Sequence, residues 1–118
     1  MSRDLDQNLR LTDLNPHCPN CDDIYLHQST VTVYERAEDA PTTIETEVDR
    51  RGARVTAVPS AVSTNPSLRR QGLAVAFWCE GCDGDFELTI DQHKGQTYIQ
   101  WRRRKERCYD NYEDIIKA

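Results

Sequence analysis

Cys18-Pro19-Asn20-Cys21 and Cys79-Glu80-Gly81-Cys82 are two C-x-x-C pairs separated by 57 residues. An interval of two residues lets the chain turn back on itself, so that both sulfurs of a pair can stand about 2.3 Å from one metal ion. Two such turns supply four sulfurs at tetrahedral angles, an arrangement that Zn²⁺ accepts because it has no geometric preference of its own. Backbone N–H groups inside each turn can point at the thiolates and spread their charge. Pro19 presets φ for the first turn, and Gly81 and Gly84 are expected to supply positive φ in and after the second. The reading is therefore one Zn²⁺ on Cys18, Cys21, Cys79 and Cys82.

These residues resemble the zinc ribbons, in which two such knuckles face each other across the metal. The resemblance is carried by Cys18, Pro19, Cys21, Cys79, Gly81 and Cys82, and covers the knuckles and their adjoining strands. It implies an antiparallel β domain clamped by a structural ion. Many ribbons place glycine directly after the second cysteine of a knuckle. Here Asp22 and Asp83 stand there, and aspartate tolerates the left-handed region better than most residues. The long gap implies extra strands between the knuckles. In general character the chain also looks like small zinc-ribbon proteins of bacteria, phages and mobile elements.

Two alternatives use the same cysteines. A thiol–disulfide couple would sit at a helix N-terminus within a βαβ pattern, whereas residues 24–34, Ile-Tyr-Leu-His-Gln-Ser-Thr-Val-Thr-Val-Tyr, are β-rich. Iron is possible with four thiolates, but nothing favours it. A four-cysteine shell has no open position for water, and no Ser/His/Asp set or glycine-rich phosphate loop is present. The expectation is a non-enzyme with no small-molecule substrate. His17, beside the first knuckle, is a substitute ligand at best, and His27 and His93 are expected to be surface or satisfied polar residues. Cys108 reads as a small buried or half-buried apolar residue.

Outward from the knuckles, the alternation of apolar residues gives strands. Residues 24–36 switch apolar parity, from Ile24 and Leu26 to Val31 and Val33, which predicts a bulge near 27–29. Ile44, Thr46 and Val48 alternate with Glu45, Glu47 and Asp49. With residues 53–58 they predict an inserted hairpin bearing an acidic outer face. Residues 59–72 form a long polar loop, expected to be functional or mobile. Leu73, Val75, Phe77 and Cys79 lead a strand into the second knuckle. Phe86, Leu88 and Ile90, then a turn at 92–95, then Thr97, Ile99 and Trp101, form the clearest hairpin. Asp110 and Glu113 have the spacing of a capping box, which suggests a short C-terminal helix carrying Tyr112, Ile115 and Ile116. The organisation is an N-terminal arm (1–16), a mainly β, zinc-ribbon-like domain (17–107) and a tail or short helix (108–118).

The 118 residues suit one domain, but only 37% are hydrophobic and 30% are charged. A small domain so composed needs help from outside its apolar core, and the metal is the evident source. Met1–Asp6 lacks the apolar stretch of a signal peptide, and no run approaches the roughly 18 apolar residues of a membrane span. A reducing, cytoplasmic setting is expected, where thiols stay free to bind metal. The net charge is −5 and is segregated: residues 1–49 hold eleven acidic residues against three basic, and residues 50–107 hold eleven basic against six acidic. Arg102, Arg103, Arg104, Lys105 and Arg107 form a basic run behind Trp101. With Arg69 and Arg70, and with Arg50, Arg51 and Arg54, they could make one face for phosphate contact. Trp101, Tyr98 or Trp78 could stack on unpaired bases. The function expected first is a non-catalytic adaptor for nucleic acid or its machinery. The alternative is a protein-only interaction module or inhibitor, with a thiol oxidoreductase third.

Overall fold

The computed structural model describes residues 15–104 and the backbone strand at Asp114–Lys117. The chain is mainly β: β1 (Leu26–Glu35), β2 (Thr42–Asp49), β3 (Gly52–Pro59), β4 (Gly72–Cys79), β5 (Asp85–His93), β6 (Gln96–Arg103) and β7 (Asp114–Lys117). They form one antiparallel sheet in the order β6-β5-β4-β1-β2-β3-β7. A single 3-10 turn at Ser60–Val62 is the only helical element among the described residues, and no helix there is long and apolar enough to cross a membrane.

Each expected hairpin is present. β2 and β3 pair from Thr42↔Pro59 to Asp49↔Gly52, and β5 and β6 from Phe86↔Arg103 to His93↔Gln96. The parity switch in β1 is a true bulge: the register with β4 shifts between Gln28 and Val31. The C-terminal helix is a correction. Asp114–Lys117 instead runs as a strand beside β3. The two β-branched residues Ile115 and Ile116 suit a strand, and the outer edge of β3 offers the ladder. The proposed capping box at 110–113, Cys108, and the N-terminal arm up to residue 14 lie outside the described residues.

The two faces of the sheet divide differently from expectation. One face carries the apolar centre: Phe86, Trp101, Cys18 and Cys79 are buried, with Leu26, Phe77, Leu88 and Cys82 packed around them. Trp101 receives Phe86 and Phe77 edge-on, at centroid distances of 5.1 and 5.9 Å. The first knuckle is seated on this cluster through Cys18, so the cysteines and the core are packed as one unit.

The opposite face is polar and yet buried. Tyr34, Thr43, Glu45, Thr56, Glu87, Thr89, Asp91 and Arg102 all lie within it. Ala74 and Ala76 on β4 are small and buried. Residues 59–72 strap part of this face. Ser63 donates to Glu45 at 2.6 Å, Thr64 bonds the Tyr34 hydroxyl at 2.8 Å, Ser60 bonds Thr43 at 2.8 Å, and Ser67 donates to the Gln92 carbonyl at 2.8 Å. Gly72 is required by space, since a Cβ there would meet Pro66 Cγ at 2.8 Å. The acidic outer face expected of β2 is therefore corrected: Glu45 is 1% exposed, because a polar strap lies on that side. Val48, on the other side, is exposed.

Asp91 lies on this face with one carboxylate oxygen unpartnered. Burial raises its pKa, opposed by His93 and Arg102. A folded pKa above the unfolded one gives stability that is whole in acid and lost as pH rises through the folded value. Asp91→Asn is thus expected to raise the thermal midpoint at pH 7 and to raise it less at pH 4, as read by circular dichroism melts at both pH values.

Candidate metal centre

Two turns of the same design build the centre. In the first, Cys18 N–H donates to the Asp23 carbonyl at 2.8 Å and Asp22 N–H to the Cys18 carbonyl at 2.9 Å. In the second, Cys79 N–H donates to the Gly84 carbonyl at 3.0 Å and Asp83 N–H to the Cys79 carbonyl at 2.9 Å. The left-handed position in each turn belongs to aspartate: Asp22 has φ 68° and Asp83 φ 57°. This fits the tolerance read from the sequence. It also corrects the glycine assignment, since Gly81 and Gly84 do not have positive φ. Their need is for space. A Cβ on Gly81 would collide with the Asp23 carboxylate, and one on Gly84 would stand 3.1 Å from Cys82 Sγ.

All four sulfurs lie within 4.8 Å of one another. Cys18 Sγ is 3.7 Å from Cys82 Sγ, and Cys21 Sγ is 3.5 Å from Cys79 Sγ. Four sulfurs bound tetrahedrally at about 2.3 Å would stand about 3.8 Å apart, so the cluster has the dimensions of such a site. These distances also far exceed the roughly 2.05 Å of a disulfide, and the four cysteines are free. Backbone N–H groups of Asn20 and Cys21 point at Cys18 Sγ at 3.3 and 3.4 Å, and the Asn20 amide donates to Cys82 Sγ at 3.4 Å.

The thiol acidities follow from this packing. The Asn20 amide draws Cys82 down to about 7, with the Gly84 N–H helping and burial opposing. Burial raises Cys18 against the pull of two backbone N–H groups. The Asp23 N–H pulls Cys21 down, but burial and the neighbouring thiols Cys79, Cys82 and Cys18 push it up to about 12. Four thiols this close resist losing their protons together, and a divalent cation among them removes that resistance. The donor set thus fits a metal ion, which would be held by Cys18, Cys21, Cys79 and Cys82.

No histidine joins the sulfurs. His17 bonds Asp22 at 3.2 Å, and His27 bonds Glu80 at 2.5 Å while stacking on Trp78 at a centroid distance of 4.2 Å.

Among the described residues the expected basic face is not assembled. Arg69 grips Asp39 at 2.8 and 2.9 Å and Glu38 at 2.8 Å, and Arg70 pairs with Glu38. Arg54 is paired with Glu47 and Asp49. Trp101 is 1% exposed, so it is a core residue and no stacking platform. Arg102 is buried and donates to Glu87 at 2.8 Å. These two corrections share a cause: Trp101 and Arg102 are adjacent on β6 and point to opposite faces, both of which are covered there. Arg103 and Arg104 are exposed, with Arg104 3.6 Å from Asp85. Lys105 and Arg107 lie outside the described residues.

Sequence reasoning named Trp78 as a stacking surface but missed that two further apolar residues, directly after the first knuckle, are exposed. Ile24, Tyr25 and Trp78 are all accessible beside the knuckles, Tyr25 at 63%. The signal available was the position of Ile24 and Tyr25 directly after a knuckle, where the chain has not yet entered the sheet. Compared with known proteins, the chain matches no family model, no curated protein and no solved structure, so its likeness to zinc ribbons rests on the two knuckles alone.

Proposed function

We propose that the chain is a non-catalytic adaptor in which one Zn²⁺ on Cys18, Cys21, Cys79 and Cys82 fixes the fold, and whose exposed surface binds another protein in a reducing compartment such as the cytoplasm. The four-sulfur cluster, sized for a tetrahedral ion, carries the metal part of this reading. A closed thiolate shell has no place for a reacting water, so the ion is structural. The protein partner is favoured by the ground around the centre. Asp22, Glu80, Asp83 and Asp85 are exposed there, and a Zn²⁺ on four thiolates carries two negative charges of its own. A phosphate backbone is repelled by such a rim, whereas Ile24, Tyr25 and Trp78 give a protein apolar area to cover.

A second reading, direct contact with nucleic acid, is favoured by the stacked His27–Trp78 pair and by exposed Arg103 and Arg104. Anisotropy titrations with single-stranded and duplex DNA and RNA separate the two. The expected affinity is no tighter than the roughly 10⁻⁶ M of non-specific charge contact at physiological salt. Tighter, steeply salt-dependent binding that is lost in Arg103→Glu/Arg104→Glu would establish the second reading instead.

A further inference from the structure

β1 is ten residues long, but β2 accompanies only its second half, from Val31↔Val48 to Glu35↔Ile44. The chain then turns away at Arg50-Arg51. Along residues 26–30 the side of β1 that faces away from β4 has no strand beside it among the described residues. Glu80 N–H donates to the Tyr25 carbonyl across the β1–β4 ladder at 3.1 Å. Alternation along that ladder turns the peptide groups of Gln28 to the open side. The register shift that follows, between Gln28 and Val31, separates this half of β1 from the half that β2 accompanies.

A cavity of about 580 Å³ lies against this edge, lined by Gln28, Ser29, Thr30, Asp49, Arg50 and Arg51. Its charge is positive. Asp49 is already satisfied by the Arg51 N–H at 2.8 Å and by Arg54 at 3.2 Å, which hold its carboxyl below the usual range. The Arg51 side chain is 82% exposed, with only a 3.9 Å contact to Asp49, and Arg50 has no ion pair or hydrogen bond among the described residues.

We propose that this open half of β1 is a docking edge for an extended peptide with carboxylates at one end. The peptide adds as a short strand in line with β2. Its backbone takes up the free groups at Gln28, and its acidic end meets Arg50 and Arg51. Main-chain bonds to a sheet edge give affinity, and the flanking charges give selectivity. The other end of the peptide runs toward Tyr25 and the carboxylate rim of the knuckles, so it is apolar or basic. The inference rests on the reading of a protein partner.

The test is selection of displayed random heptapeptides on the zinc-loaded full chain. Selected peptides should alternate β-branched residues and carry Asp or Glu at one end. Arg50→Glu/Arg51→Glu should weaken them on the order of tenfold or more, and peptides with Lys in place of the acids should bind that variant instead. Hydrogen exchange at the Gln28 amide should slow when peptide is added. Zinc content and circular dichroism verify that the variant is folded. Equal binding to the variant, or protection of β6 in place of Gln28, overturns the edge but leaves a protein partner standing. Failure to select any acidic peptide also overturns the edge. If, in addition, an oligonucleotide binds tightly, the protein-partner reading falls with it.

Discussion

Cys79→Ser is expected to abolish both zinc binding and the folded state. Cys79 and Cys18 are fully buried in the cluster with Phe86 and Trp101, so the ion and the aromatic core form together or not at all. Structural zinc sites in small domains contribute on the order of 10 kcal/mol of apparent binding free energy at neutral pH. A whole domain is stable by only about 5–15 kcal/mol. In a chain with 37% hydrophobic residues, that loss exceeds what the remaining contacts can supply. Native protein should carry one zinc per chain by elemental analysis. A strong chelator should collapse its near-ultraviolet circular dichroism, and re-addition of Zn²⁺ should restore it. Acid should have the same effect as chelator, because the ligands bind as thiolates and protons compete with the metal. Cys21→Ser, at an exposed position, separates metal loss from packing loss: it should lose zinc and unfold to the same degree as Cys79→Ser. A chelated chain that keeps its melting midpoint would remove the metal from the account of stability.

The contrast between the knuckles and the rest shows what the residues could and could not announce. A C-x-x-C pair encodes a local turn and a ligand at once, so two pairs name the centre even at a separation of 57 residues. The bulge in β1 was equally legible, because a parity switch from Leu26 to Val31 has no other regular explanation. In β2 the alternation divided the residues between two faces correctly. It did not say which face would be covered. Glu45 is buried on the side that residues 59–72 strap, where the Ser63 hydroxyl donates to it, and that is a tertiary event with no local mark. The basic run behind Trp101 misled for a related reason: on a strand, consecutive residues point to opposite faces, so Trp101 and Arg102 went to different faces and each was buried there. The open half of β1 was invisible as well, since it depends on where β2 stops relative to its neighbour.

Arg102→Met is expected to destabilise the fold by about 3–5 kcal/mol, the cost of leaving a buried charge without its partner. Arg102 and Glu87 face each other across β5 and β6 in register, 2.8 Å apart, and both are at least nine-tenths buried. The ion pair itself is worth much less than that figure. Replacing both partners with apolar residues of similar volume is often neutral or stabilising, so Glu87→Leu with Arg102→Met should recover most of what Arg102→Met loses. Urea denaturation of the two single variants and the double variant measures the coupling directly, and an unchanged slope would show that all unfold from the same native state. The burial of Arg102 also governs how the basic run can be tested. Neutralising residues 102–104 together would weaken any binding by unfolding the sheet, and so would imitate loss of a nucleic-acid contact. Arg103 and Arg104 are the two that can be changed without that confusion. If Arg102→Met instead costs less than about 1 kcal/mol, the range of an exposed ion pair, Arg102 is a surface residue and the single basic face returns as a candidate for phosphate contact.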